Sequence, residues 1–156
     1  MTNLIVQNGF PLSSQEVADK ITSSSSSIDS LMHLICYTEG NILVVDYRYF
    51  KHIANPLSYQ TIMKHVIAMI DYILESHPNF STLACIKSLT VSDVDKHMTF
   101  IKSISNALKT RYQNKMTKCS IYNAPFIFAQ VYNIVSCFID KDTLEKITMI
   151  PKSDKR

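Results

Sequence analysis

Between residues 31 and 150, short apolar runs alternate with longer segments of helical period, and few folds accept that pattern. The apolar runs are LMHLICY at 31–37, NILVVDYRYF at 41–50, STLACIKSL at 81–89, KCSIYN at 118–123 and ITMI at 147–150. Each is short enough for a strand, and the second is apolar almost throughout, as a strand covered on both faces is. Thr38-Glu39-Gly40-Asn41 is turn chemistry, so the first two runs are read as a hairpin. Segment 58–76 places Ile62, Val66, Ile67, Ile70, Ile73 and Leu74 at helical spacing, and Pro78 stops it. A second helix opens at Ser92 with Val94, Met98, Ile101, Leu108 and Tyr112 on one face, and a third covers 126–139 after Pro125. Strands alternating with helices specify an α/β domain with a mixed, largely parallel sheet and flanking helices. Right-handed crossovers place those helices over the sheet faces.

Residues 31–150 are thus read as the main domain. Ahead of it, 1–30 hold a short helix over about 13–21, with Ser13 and Glu16 in capping-box spacing, and then a serine-rich linker at 23–27. Residues 151–156 form a polar tail. A chain of 156 residues suits one domain. Gly9 and Gly40 are the only glycines, so no glycine-cradled phosphate motif can be written. The net charge of +3 comes without a basic cluster interleaved with aromatics, so nucleic acid is not expected as a partner. No apolar run reaches the roughly 20 residues of a membrane span, and the first ten residues lack the pattern of a secretory signal. A cytoplasmic protein is expected. Cys36, Cys85, Cys119 and Cys137 are far apart and are read as free thiols. The scattered histidines offer no zinc spacing, so neither metal nor cofactor is expected.

Segment 126–139, FIFAQVYNIVSCFI, behaves unlike a surface helix. Eleven of its 14 residues are apolar or aromatic and none is charged. Only Gln130, Asn133 and Ser136 are left to face water. Such a helix is either buried at the centre of the domain or faces a lipid, a ligand or a partner, and because helices form the outer layer of an α/β domain the second reading is favoured. Catalytic patterns are missing: there is no GxSxG and no HExxH. Asp71 and Glu75 are read as the solvated face of helix 58–76, and Asp93, Asp95 and His97 as helix-start capping. No enzyme is expected.

From about Tyr112 to Ile150 the chain reads RYQNKMTKCSIYNAPFIFAQVYNIVSCFIDKDTLEKITMI when taken from Arg111. A strand closes on Asn123-Ala124-Pro125, a long apolar helix follows, and Phe138-Ile139-Asp140 ends it ahead of Thr143 and Lys146-Ile147. Upstream, CIKSLTVSD at 85–93 carries Lys87, Leu89 and Ser92 in register. This succession resembles the CRAL-TRIO family of lipid-binding domains, of the phosphatidylinositol-transfer-protein type, over roughly residues 33–150. The resemblance implies a sheet forming the floor of an apolar pocket, with 126–139 as its mobile gate. Phe126, Phe128, Val131, Tyr132, Val135 and Phe138 are then expected to line the pocket or gate. It also implies a headgroup site at Lys146 and Thr143, with Asn114 where phosphoinositide-binding members carry Glu; the strand aspartate of the family is here Cys85. The helical N-terminal lobe of the family is mostly absent, so a minimal or truncated member is expected. The implied function is non-catalytic binding of a lipid, for example a phosphoinositide, or of another hydrophobic ligand, with lipid transfer or peripheral membrane association. The alternative is a pocketless protein-interaction or homodimerisation module that uses the same apolar helix.

Overall fold

The run at 31–37 divides between two elements. In the computed structural model, which describes residues 28–122, 128–136 and 141–150, Ile28–Ile35 is a helix (α1) and only Cys36–Glu39 is extended (β1). Leu31, Met32 and Ile35 are buried at the spacing of one helical face. A short apolar run fits either period, and here the helix wins because that face packs on the sheet. The expected hairpin is present: β1 turns into β2 (Ile42–Asp46) through Gly40-Asn41, with Glu39 paired to Ile42. Gly40 has φ +61°, and a Cβ there would meet nothing within 4 Å. Backbone conformation, not space, is what calls for glycine.

The strand expected over 41–50 stops at Asp46. Its carboxylate accepts from the Arg48 backbone N–H at 3.0 Å and caps α2 (Tyr47–Ile53). The Arg48 guanidinium closes on the same carboxylate through Nε at 3.0 Å and Nη2 at 2.8 Å, with both residues buried. Capping and burial together override the strand preference of Tyr47, Tyr49 and Phe50. Next, Asn55 Oδ1 accepts from the Leu57 N–H at 2.8 Å, and Ser58 Oγ donates to the Ile53 carbonyl at 2.7 Å. This turn leads into α3 (Tyr59–Leu74), which buries Ile62, Val66, Ile70 and Ile73 as their spacing predicts.

β3 (Phe80–Cys85) is shorter than its apolar run, because the chain turns after Cys85 with Ser88 at φ 71°. The helix expected from Ser92 is broken at His97 into α4 (Val91–Lys96) and α5 (Met98–Thr110). Thr90 and Asp93 close a capping box at its start. β4 (Met116–Tyr122), α6 (Phe128–Val135), α7 (Lys141–Glu145) and β5 (Ile147–Ile150) follow. Of these, α7 had no signal in the sequence pattern.

The strands lie in the order β1-β2-β3-β4-β5; β1 is antiparallel to β2 and the other pairings are parallel. The sheet is therefore mixed and largely parallel, with flanking helices. On one face Leu43, Phe80 and Met116 join the buried faces of α1, α2 and α3 in the main core. The other face carries the row Tyr37, Val44, Leu83, Ser120 and Thr148, given by the register. There Val44, Leu83 and Tyr122 form a second, smaller buried cluster.

Cys36, Cys85 and Cys119 are free thiols. Burial pushes Cys36 and Cys119 up to about 12, so neither is a thiolate at neutral pH. Cys137, the helix read at 13–21, the serine run and the tail 151–156 lie outside the described residues. Among the described residues no helix is long and apolar enough to cross a membrane.

Candidate functional site

The end of α5 is tied down by a three-way polar contact. Tyr112 follows the C-cap Arg111, is buried, and donates its hydroxyl hydrogen to Asp71 Oδ1 on α3 at 2.7 Å. Arg111 Nε donates to the Tyr112 oxygen at 2.9 Å, and Arg111 Nη2 donates to Asp71 Oδ2 at 2.9 Å. The Tyr112 ring also stands edge-on to Phe80, with centroids 6.3 Å apart. Burial first, and then the bond to Asp71, push the Tyr112 hydroxyl up to about 12, while Arg111 acts in the opposite direction. Asp71, read from its spacing as solvated surface, is thus half-buried and structural. The contact needs α3 beside α5, which no local pattern announces.

This anchor fixes the turn that carries Asn114. Asn114 sits at φ 63°, a left-handed position that Asn tolerates better than most residues. The Lys115 N–H then bonds the Tyr112 carbonyl at 2.9 Å, and the Lys115 carbonyl accepts from the Phe80 N–H at 2.9 Å, which starts β4 alongside β3. Lys146 is set just as firmly from the other side. Its N–H bonds the Thr143 carbonyl at 3.1 Å, and its carbonyl accepts from the Cys119 N–H on β4 at 2.8 Å.

Between these two anchors lies a cleft of about 210 Å³. Asn114, Thr143 and Lys146 all line it, so the structure brings together the three polar residues that the resemblance singles out. Leu108, Tyr112 and Met116 give it an apolar wall. Lys109, Gln113 and Asp142 also line it and were not anticipated, because their membership depends on how α5 and α7 meet. Among the described residues, neither Lys146 nor Lys109 nor Asp142 belongs to an ion pair.

The expected gate is described only in part. Phe126 and Phe138 lie outside the described residues, while Phe128, Val131 and Val135 fall within α6. Gln130 and Asn133 are exposed as their spacing predicts, Ser136 and Tyr132 are half-buried, and Ala129 is exposed as well. α6 lies beside α4. A second cavity, of about 180 Å³, opens where α2, α4 and α5 meet the ends of β2 and β3; Val45, Phe50, Leu89 and Val94 make it apolar. His97 lines it too. Rather than capping at the surface, His97 is buried, with Nδ1 2.6 Å from the Tyr59 hydroxyl and its ring edge-on to Phe50 at 5.1 Å. Burial, reinforced by Lys96 and opposed by Asp93, lowers its pKa and so favours the neutral ring. Among the described residues no group of three His, Cys, Asp or Glu side chains is placed to hold a metal ion.

Comparison with known proteins matches this architecture. The CRAL/TRIO domain model matches residues 17–156, and the chain belongs to that family. The SEC14 cytosolic factor of Yarrowia lipolytica is 32% identical over 66 residues, which is 42% of this chain and 13% of that protein. The structure titled "Crystal structure of Sfh5" superposes with a TM-score of 0.66 at 14% identity, over 84% of this chain and 52% of that one. The latter likeness is one of fold: a five-stranded mixed sheet with flanking helices. The chain spans about half the length of Sfh5, and the stretch it shares with the SEC14 factor is a small part of that protein. CRAL/TRIO domains are a lipid-binding family.

Proposed function

We propose that this chain binds a phospholipid, with the phosphorylated headgroup in the cleft between α5 and α7 and the acyl chains along the apolar segment 126–139. The observation that carries the reading is the convergence on one small cleft of Asn114, from the turn before β4, with Thr143 from α7 and Lys146 just after it. Each suits one part of a polyol phosphate. Lys146 supplies a positive charge for phosphate, the Thr143 hydroxyl a hydrogen bond, and the Asn114 amide both a donor and an acceptor for ring hydroxyls. Acyl chains need a lining free of charge, and 126–139 has none; each buried methylene contributes about 0.8 kcal/mol. An inositol phospholipid is the headgroup class that uses all three residues. The same apolar segment gives a route onto a membrane surface during lipid exchange.

Transfer of fluorescent phosphatidylinositol between vesicles tests the reading. Lys146→Ala removes a charge-assisted hydrogen bond, so affinity for phosphatidylinositol should fall about ten- to a hundredfold. Transfer by Lys146→Ala at the wild-type rate would overturn the headgroup assignment. The competing reading, a pocketless dimerisation module, predicts no lipid uptake and a dimeric mass in the same preparation.

A further inference from the structure

We infer that Asp142 decides which phosphorylated headgroups the cleft accepts, admitting a polyol that carries one phosphate and turning away those that carry more. The inference rests on the reading of the cleft as a headgroup site. Three charged side chains line the cleft: Lys109 from α5, Asp142 from α7, and Lys146 at the entrance to β5. None of the three is in an ion pair among the described residues, so their charges are open to a ligand. The Tyr112 hydroxyl is already engaged with Asp71 and Arg111, and the other polar groups, on Gln113, Asn114 and Thr143, are neutral.

Two ammonium groups and one carboxylate leave the cleft with a single net positive charge, which balances one phosphodiester. A carboxylate only accepts hydrogen bonds, so Asp142 matches the hydroxyls of a polyol and no part of a phosphate. Each further phosphate monoester brings close to two more negative charges into a cleft of about 210 Å³ that already holds a carboxylate. Repulsion across several Å in a half-exposed site is enough for a discrimination of about tenfold. Lys109 and Lys146 draw a phosphate in, and Asp142 restricts how many can follow. Asp142 is exposed, so replacing it leaves the core untouched.

The test uses the full chain as wild type, Asp142→Asn, Lys146→Ala and the double variant. Binding is measured to phosphatidylcholine vesicles doped with phosphatidylinositol or phosphatidylinositol bisphosphate, and to soluble inositol monophosphate and trisphosphate. Wild type should prefer phosphatidylinositol over the bisphosphate by about tenfold, and Asp142→Asn should abolish that preference by gaining affinity for the bisphosphate. A wild type without this preference, or an Asp142→Asn protein that keeps it, overturns the inference. Lys146→Ala should weaken both lipids in both backgrounds; if it leaves them unchanged, the cleft reading fails and the role of Asp142 fails with it. If only the soluble phosphates bind, in the same order and with the same response to Asp142→Asn, the selectivity of Asp142 stands and the ligand is a free polyol phosphate.

Discussion

Replacing Tyr112 with Phe removes one oxygen and leaves a ring of the same shape in the same place. That oxygen donates to Asp71 at 2.7 Å and accepts from Arg111 at 2.9 Å, on a residue only 4% exposed. A hydrogen bond to a charged group contributes roughly 1.5–3 kcal/mol. The Asp71 carboxylate is 43% exposed and keeps Arg111 Nη2 at 2.9 Å, so water replaces part of what is lost. The cost then falls to about 1–2 kcal/mol, or a Tm lower by roughly 2–8 °C for a chain of this size. Urea unfolding followed by circular dichroism should show a lower midpoint with an unchanged slope. A double-mutant cycle with Asp71→Asn should return a coupling of about 0.5–2 kcal/mol. There is also an alkaline signature. The Tyr112 pKa lies above its ordinary value of 10.0, so its contribution is intact below that pH and is lost as pH rises toward about 12. Tyr112→Phe should flatten that limb. An unchanged midpoint and zero coupling would refute the idea that this contact secures the turn carrying Asn114.

Three further outcomes follow from the fold. Gly40→Val forces a branched side chain into a left-handed turn position at φ +61° and should cost about 1–2 kcal/mol by thermal melt, with the space around it playing no part. Asp46→Ala breaks a buried ion pair and should cost about 3–5 kcal/mol in urea unfolding. The His97 pKa is lowered in the folded state, so its stabilising contribution is present above the ordinary value of 6.5 and is lost as pH falls below it. Wild type should therefore lose stability between pH 7 and 5, and His97→Gln should lose less over the same interval.

The elements that sequence alone defined best are those with an unambiguous period. α3 buries Ile62, Val66, Ile70 and Ile73 as spaced, and β4 and β5 fall within a few residues of their apolar runs. Runs 31–37 and 41–50 misled because strand-forming side chains are also good core residues for a short helix, and the deciding groups are tertiary. Leu31, Met32 and Ile35 pack as a helical face, and Asp46 turns the chain by capping α2. The break at His97 was invisible for the same reason, since it depends on Tyr59 and Phe50 from other elements. Within the cleft, Asn114, Thr143 and Lys146 came from motif resemblance, whereas Lys109 and Asp142 emerge only once α5 and α7 stand opposite each other.

Lipid binding itself is tested most directly by native mass spectrometry of the full chain, purified without detergent and incubated with mixed phospholipid vesicles. The account predicts a peak heavier than the bare chain by one phospholipid, with phosphatidylinositol enriched over the supplied mixture and that peak diminished in Lys146→Ala. A spectrum showing only the bare chain after incubation would contradict it.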